Sequence, residues 1–396
     1  MSGRPLRQTP KSDAGIPRQP GRPETSIVCQ NRRRNPRRKN RRRQLIAIDL
    51  FAGSGGLTLG LRWAGFGVVG AIDNDPLATA TYRRHNPGTA LWTADIRTVT
   101  VAAVRRRLRL RPGRLDLLAG CPPCQGFSAM RTRNGRRRVH DPEHKDLLFQ
   151  FLRFVRGLRP KAIMMENVPG LAKDRRITRF SAALKRLGYK CRYRVLNAAH
   201  YGVPQRRRRV ILIAGLRRLP SLAQGDKSRP VTVRTAIGHL APPGNTGDPM
   251  HDISESRTQK VMDLIRRIPS NGGGRLSLPR HEQLLCHRRS SGFKDVYGRM
   301  SWDAVAPTIT NGFVNPSKGR FLHPKQHRTI TLREAALLQT FPRYYRFALD
   351  RGKFPAAALI GNALPPKFIK RIALPVVAHL RSNASRVCDD RQSWTT

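Results

Sequence analysis

The sequence predicts an α/β fold, and the alternation of two kinds of segment carries that prediction. After residue 44, short apolar runs alternate with longer amphipathic stretches. This rhythm is typical of parallel strands joined by crossover helices. A chain of 396 residues is long enough for two or three domains and a sizeable core. No apolar window reaches 18 residues, so we expect a soluble protein without a membrane span.

The individual elements follow from hydrophobic periodicity. The apolar runs predict strands at 45–50, 68–73, 115–119, 162–166 and 209–214. The amphipathic stretches predict helices at 56–64, 76–84, 146–157, 178–187, 331–340 and 366–380. Between about 217 and 327 the rhythm fades, and Gly, Pro, His and Arg dominate, with PPGNTGDP and NGGGR as breakers. The chain therefore has a second, loop-rich region.

The charge balance points to a polyanionic partner. The chain has 77 Lys and Arg against 24 Asp and Glu, a net charge of +53. Residues 1–44 hold 14 basic and 2 acidic residues, or +12, so +41 belongs to the rest. Six prolines and few apolar residues predict that 1–44 is a disordered basic arm. Nucleic acid is the first candidate partner, although an Arg-rich composition could also place arginine on ordinary solvated faces.

The cysteines and the amino terminus indicate the compartment. The amino terminus is rich in Arg and Pro and has no apolar run typical of a signal peptide. The six scattered cysteines do not form a disulfide framework. We therefore expect reduced thiols in the cytoplasm.

A glycine-rich segment, DLFAGSGG at 49–56, follows the first predicted strand and opens a helix. Glycines there allow the backbone to approach a ligand at a helix N-terminus. Asp73 ends the next predicted strand, 20 residues after Gly53, where a carboxylate can bind ribose hydroxyls. The pair predicts a nucleotide-type site, with a plain tight turn as the alternative. The glycine order is not G-x-G-x-x-G, which disfavours a nicotinamide dinucleotide.

A second segment, GCPPCQGFS at 120–128, also follows a predicted strand. The carboxyl edge of an α/β sheet is where ligands bind, so a reactive residue is expected there. A metal or redox Cys-x-x-Cys site is disfavoured by the two intervening prolines and by the lack of a second pair with zinc spacing. A nucleophile fits better. Glu166 ends the strand 162–166 at the same edge, so its carboxyl group can face the thiol.

With these motifs the sequence resembles the cytosine-C5 DNA methyltransferase family. DLFAGSGG resembles the first family motif, PPCQGFS the catalytic cysteine motif, and Glu166-Asn167-Val168 the proton-handling motif. The run at 205–209 resembles the family's Q-x-R-x-R element. Segments RTITLREA with LQTFP, and GNALPP, resemble the last two motifs. All stand in the family's order and together span roughly residues 45–377.

The resemblance implies a Rossmann-like, doubly wound sheet of the class I methyltransferase type with a smaller, loop-rich target-recognition domain. The implied catalytic domain is 45–216, completed by about 355–380, and 217–354 would be the target-recognition domain. The implied methyl donor is S-adenosylmethionine, with no metal. The implied partner is double-stranded DNA, and a cognate restriction endonuclease is a further candidate. We expect a monomer in the cytoplasm, associated with the nucleoid.

The resemblance also assigns roles to residues. Cys124 would attack C6 of cytosine, and Glu166 would hold or protonate N3. Arg207 and Arg209 would position Glu166 and the base O2, whereas Arg206 and Arg208 alternate to the other side of the strand. The implied cofactor contacts are Asp49, Phe51, Gly53, Gly55, Gly56, Asp73, Asp95, Ile96, Leu147 and Asn362. The implied DNA contacts are Gln125, Ser128, Gln205, Thr308 and Arg320.

Two other functions remain as alternatives. A tRNA cytosine-C5 methyltransferase shares PPCQ and ENV, but its relatives carry a Cys-Phe-Thr tripeptide that this sequence lacks. A catalytically silent, basic DNA-binding protein on the same fold is disfavoured by the intact Cys124, Glu166 and Gln205. The sequence does not determine the target DNA sequence.

Overall fold

The computed structural model describes residues 43–123, 147–228, 230–288 and 292–392. A seven-stranded sheet forms the centre of the described chain, and the α/β prediction is confirmed. Its strands β1 to β7 are Leu45–Leu50, Phe66–Asp73, Ala90–Thr93, Leu117–Gly120, Ala162–Asn167, Tyr189–Asn197 and Arg208–Leu216. The helices α1 to α11 are Gly56–Trp63, Pro76–His85, Val101–Leu108, Leu147–Leu158, Arg175–Arg186, Val233–Ile237, Gln259–Arg267, Leu285–Arg288, Leu332–Leu338, Lys353–Asn362 and Pro366–Gln392.

The strand order is β3-β2-β1-β4-β5-β7-β6. Strands β1 to β5 run parallel, whereas β7 pairs antiparallel with both β5 and β6. The parallel orientation predicted for 209–214 is therefore wrong. A parallel pair needs a crossover of a dozen or more residues. Residues 198–207 connect β6 to β7 and their only regular element is a short 3₁₀ turn, Ala198–Tyr201, so the chain reverses direction instead.

Helices cover both faces of the sheet, as a doubly wound fold requires. On one face, α4 and α5 pack through Phe151, Phe154 and Phe180 against the strands. On the other face, α1 and α11 pack together through residues such as Leu61 and Phe368. Helix α11 therefore contributes to the sheet domain although it is far from it in sequence. None of the described helices has the length and apolar character needed to cross a membrane.

Buried arginines stabilise the loop-rich region. Arg299 is fully buried, and its guanidinium group donates hydrogen bonds to the carbonyl oxygens of Ile265 and Ile268 at 2.8 and 3.0 Å and of His323 at 3.0 Å. Buried carbonyl groups must find donors, and this segment has few regular elements that could supply them. The Arg299 guanidinium group therefore supplies hydrogen bonds that backbone N–H groups would provide in a helix or sheet.

Candidate active site

The glycine-rich turn after β1 lies at the carboxyl edge of the parallel strands. Phe51 has a φ of 61°, Gly53 a φ of 52° and Gly55 a φ of 86°, so the backbone makes three left-handed steps before α1 begins. A positive φ is uncommon for a residue with a Cβ atom and is typical of functional turns. At Gly55 a Cβ atom would lie 2.8 Å from the Tyr345 hydroxyl oxygen. Any side chain at Gly55 would therefore displace Tyr345 and strain the left-handed backbone of the turn.

Asp73, at the end of β2, holds this turn. Its Oδ2 accepts a hydrogen bond from the Gly53 backbone N–H at 2.8 Å, and its Oδ1 accepts one from Asp75 N–H at 2.9 Å. Burial raises the pKa of Asp73, while the backbone hydrogen bonds oppose that rise. Each carboxylate oxygen has a second lone pair, so Asp73 can also accept from a ligand hydroxyl.

Asp49, in β1, is a fully buried carboxyl group beneath the turn. Its Oδ2 accepts a hydrogen bond from Thr58 Oγ1 at 2.7 Å, and Thr58 Oγ1 is 2.9 Å from Tyr82 OH. Its Oδ1 is buried without a partner. Burial raises the pKa of Asp49 to about 8. An unpartnered buried acceptor requires a donor, and the ammonium group of an amino-acid ligand is one.

Three side chains around this turn were not anticipated from sequence. Thr58 and Tyr82 belong to the hydrogen-bonded group under Asp49. Tyr345 OH donates a hydrogen bond to the Ser54 carbonyl oxygen at 2.5 Å. Tyr345 is 291 residues from Ser54 in sequence, and no local pattern pairs such distant positions.

The other four expected cofactor residues lie in three places: after β3, at the start of α4 and at the end of α10. Asp95 follows β3, is half-buried and forms a salt bridge with Arg97 at 2.6 Å. Ile96 and Leu147 are buried. Asn362 is exposed at the end of α10. Because β1, β2 and β3 are parallel neighbours, the turn, Asp73 and Asp95 share one edge of the sheet.

Glu166 is the penultimate residue of β5, at the same edge, and is 8% exposed. Arg209 Nε donates to Glu166 Oε1 at 2.7 Å, and the Cys121 thiol is also hydrogen-bonded to the carboxyl group. Burial raises the pKa of Glu166, against the opposing charges of Arg209 and Arg207. The expected contact between Arg209 and Glu166 is therefore present. A buried carboxyl group with a raised pKa can hold a proton at neutral pH.

Arg207 and Gln205 lie in the interior. Arg207 Nη1 donates to the carbonyl oxygens of Ile309 and Gly361, both at 3.1 Å, and Arg207 Nε has no partner. The Gln205 amide accepts from Ile309 N–H at 2.9 Å and donates to Gln339 Oε1 at 3.0 Å. Gln205 is fully buried, so its position favours a structural role over the DNA contact expected from sequence.

The other expected DNA contacts lie in the loop-rich region or outside the described residues. Thr308 Oγ1 donates to the Arg206 carbonyl oxygen at 2.5 Å. Arg320 donates to the carbonyl oxygens of Gly272 and Arg299 at 2.7 and 3.0 Å and pairs with Asp295 at 3.2 Å. Through these bonds Arg320 connects the loop segments of Gly272, Asp295 and Arg299. Gln125, Ser128 and the expected nucleophile Cys124 lie outside the described residues.

Pro122, two residues before Cys124, is held by a hydrogen bond at the carboxyl edge of the sheet. Asn167 Nδ2 donates to the Pro122 carbonyl oxygen at 2.9 Å, and Asn167 Oδ1 accepts from Val168 N–H at 2.8 Å. This amide joins the end of β5 to the segment that follows β4. Asn167 and Cys121 therefore lie at the same edge as Glu166; the sequence analysis included both in its motifs but gave neither a role. Among the described residues, no group of three or more metal-ligating side chains occurs.

Comparison with known proteins identifies the family. The family model described as C-5 cytosine-specific DNA methylase matches residues 45–377. The chain is 38% identical over 339 residues to the Type II methylase M.HgiDII of Herpetosiphon aurantiacus, covering 80% of this chain and 91% of that protein. It is 34% identical to the Type II methyltransferase M1.BsuMI of Bacillus subtilis over 82% of this chain and 79% of that protein.

The fold agrees with this match. The crystal structure of a prophage-encoded DNA modification methyltransferase of E. coli aligns with a TM-score of 0.62 and 25% identity, covering 85% of this chain and 99% of that one. The family implies S-adenosylmethionine as methyl donor and DNA as substrate. The chain belongs to the C-5 cytosine-specific DNA methylase family and is a DNA cytosine-5 methyltransferase.

Proposed function

We propose that the enzyme methylates C5 of a cytosine flipped out of one specific duplex DNA sequence, with Cys124 as nucleophile and Glu166 as the acid at N3. The pair of Glu166 and Arg209 carries the proposal, because it provides a buried carboxyl group with a raised pKa beside the cysteine motif. A stacked base is inaccessible to these groups, and rotating it out costs a few kcal/mol. The basic surface favours that step by binding the phosphates.

The chemistry follows from the weak nucleophilicity of cytosine C5. The Cys124 thiolate adds to C6, and the electron pair displaced toward N3 is neutralised by the Glu166 proton. C5 then has enamine character and can accept a methyl group. Loss of the C5 proton to a water molecule, expulsion of the Cys124 thiolate and return of the N3 proton to Glu166 restore the neutral aromatic ring and the starting enzyme. Arg209 holds the carboxyl group in place, and Arg207 ties its strand to the segments of Ile309 and Gly361.

S-adenosylmethionine supplies the methyl group when bound, and the residues at the carboxyl edge fit it. Asp73 would accept from the ribose hydroxyls. Asp49 would accept from the methionine ammonium group, which provides the donor that its Oδ1 lacks. Phe51, Ile96 and Leu147 would contact the adenine, and Asp95 would accept from its amino group. Gly53, Gly55 and Gly56 leave room for the methionine end, and Asn362 would close the site from α10.

Replacing Asp73 with Ala should weaken S-adenosylmethionine binding about tenfold or more, because hydrogen bonds to a charged group contribute roughly 1.5 to 3 kcal/mol each. Calorimetry measures the effect. Asp73→Asn is the matched control, since its one oxygen can still accept from Gly53 N–H. Unchanged affinity in the Ala variant would remove Asp73 from the cofactor site.

Replacing Arg209 with Gln should move the alkaline limb of the kcat/KM profile to higher pH and lower its maximum. The Arg209 charge lowers the pKa of Glu166, so its removal raises that pKa and keeps the carboxyl group protonated at higher pH. Arg208→Gln is the control, because Arg208 is an exposed neighbour. A limb that stays in place, or moves equally in both variants, contradicts the role of Glu166 as an acid.

Deleting residues 1–44 should lower non-specific DNA affinity and flatten its salt dependence, while the methylated sequence stays the same. The segment carries +12, and an Arg-rich tail binds phosphates and does not read base edges. The log-log salt slope changes by about 0.9 per phosphate contact. A truncated enzyme with a new target sequence would show that the segment takes part in readout.

The remaining parts of the proposal concern the cellular setting. The enzyme acts as a monomer in the cytoplasm, on nucleoid DNA. Its methyl groups protect the target sites from cleavage by a cognate endonuclease. The names of the Type II relatives support this pairing. A tRNA substrate is not favoured, because those relatives are DNA-modifying enzymes and the Cys-Phe-Thr tripeptide is lacking.

Bisulfite sequencing of DNA from cells that express the enzyme tests the proposed function. We expect protected cytosines in one recurring sequence, which would give the target as well as the activity. Protected cytosines scattered without sequence preference would contradict sequence-specific methylation. A genome without protected cytosines, with active S-adenosylmethionine binding in the purified protein, would favour a catalytically silent DNA-binding protein.

A further inference from the structure

A cleft of about 540 Å³ lies between α1 and α11, on the outer side of the sheet domain. Trp63 from α1 and four residues of α11 line it, namely Lys367, Lys370, Arg371 and Leu374. The α11 residues follow the spacing i, i+3, i+4 and i+7, which places them on one stripe of the helix. The Trp63 side chain is 37% exposed and Leu374 is 39% exposed. The cleft therefore combines two exposed apolar side chains with three cations.

This cleft is separate from the active site. Helix α1 starts at Gly56 beside the Leu364 backbone, and Gly60 packs on Ile369, so α1 and α11 run side by side in the same direction. Trp63 is the last residue of α1, roughly 10 Å along the helix axis from Gly56 at 1.5 Å per residue. The cleft shares no lining residue with the cofactor or cytosine site.

The charge of the cleft is uncompensated. Helix α1 and the segment 366–382 contain no Asp or Glu. Within the described parts of the chain, Lys367, Lys370 and Arg371 form no salt bridge. Three unpaired cations around an exposed indole repel one another, and an anionic partner removes that repulsion.

The net charge of the chain decides which partner fits. A second copy carries +53 and residues 1–44 carry +12, so both are repelled by the cleft. DNA is the polyanion that this enzyme binds. We propose that the cleft between α1 and α11 is a second DNA-binding site, which holds the sugar–phosphate backbone of duplex DNA outside the recognition sequence. The cations pair with phosphates, and Trp63 and Leu374 pack against the deoxyribose.

Lysine acetylation in the presence of DNA tests the site directly. The probe is a duplex of about 40 base pairs without the target sequence, added to the full-length enzyme without methyl donor. We expect the duplex to protect Lys367 and Lys370 from acetylation and to leave Lys185 on α5 reactive, since Lys185 is exposed on another helix. Equal acetylation of Lys370 with and without DNA would overturn the proposal. Protection by single-stranded DNA but not by the duplex would also overturn it.

A pair of double variants gives the energetic test. Lys370→Ala with Arg371→Ala should reduce the magnitude of the log-log salt slope for duplex binding by about 1.8, or about 0.9 for each lost phosphate contact. Lys185→Ala with Arg186→Ala removes the same two residue types from exposed positions of α5 and should leave the slope unchanged. Equal slopes in the two double variants would contradict the proposal.

The two experiments remain informative if the proposed catalytic roles are wrong, because neither requires methyl transfer. On a short duplex that carries the target, kcat should be the same in both double variants, since neither pair lies at the active site. A fall in kcat confined to the Lys370 and Arg371 variant would mean that this surface acts through the catalytic domain, and the proposal of a separate backbone site would fail.

Discussion

Replacing Glu166 with Gln is expected to lower kcat for methyl transfer by about 10²- to 10⁴-fold, the usual contribution of a general acid or base. The glutamine side chain would have nearly the same shape and could still accept a hydrogen bond from Arg209, but it has no carboxyl proton to place on N3. Burial raises the pKa of Glu166, which keeps that proton available. Single-turnover kinetics at saturating DNA and methyl donor measure the change.

The control for this variant is S-adenosylmethionine affinity, which should be unchanged because Glu166 lies on β5, two strands from β1. Thermal unfolding reports whether the fold survives. A variant with wild-type kcat would show that N3 is neutralised by another group. A variant with lower unfolding temperature and lost cofactor binding would assign Glu166 a structural role.

Replacing Cys124 with Ala should abolish methylation and retain S-adenosylmethionine binding, because the substitution removes the attacking sulfur and leaves the carboxyl-edge residues intact. Cys121 is the nearest competing thiol. Burial, with the Glu166 charge, raises the pKa of Cys121 well above its usual value. The thiolate is the nucleophilic form, so Cys121 is a poor nucleophile.

Cys121→Ala is therefore the matched control and should keep most of the activity. Methyl transfer to DNA is followed with a labelled donor, and cofactor binding by calorimetry. Activity retained in the Cys124 variant, or lost only in the Cys121 variant, would transfer the nucleophilic role to Cys121.

Local patterns in the sequence predicted the parallel part of the sheet well. The apolar runs at 45–50 and 162–166 coincide with β1 and β5 almost residue for residue, because buried parallel strands are continuously apolar. Strand β3 has only four residues, none of them fully buried, and gave no such run. The direction of β7 depended on the short connection from β6, and β6 itself was missed because charged residues alternate along it.

Site residues could be predicted from sequence where they lie at the carboxyl end of a predicted parallel strand. Asp73 and Glu166 were found in this way, since the ends of parallel strands meet at one edge. Tyr345 and Arg299 were not found, because their partners lie on segments that only the tertiary fold brings together. Gln205 and Arg320 carry polar groups that suit DNA, but in the structure the protein's own backbone uses those groups.

Covalent catalysis by Cys124 can be trapped with a modified base. In a duplex with 5-fluorocytosine at the target that bisulfite sequencing identifies, the last step cannot proceed, because fluorine does not leave C5 as a cation. We expect a stable protein–DNA adduct that requires S-adenosylmethionine, with the DNA attached to the peptide containing Cys124. An adduct on Cys121, or no adduct from an enzyme that methylates the unmodified duplex, would contradict it.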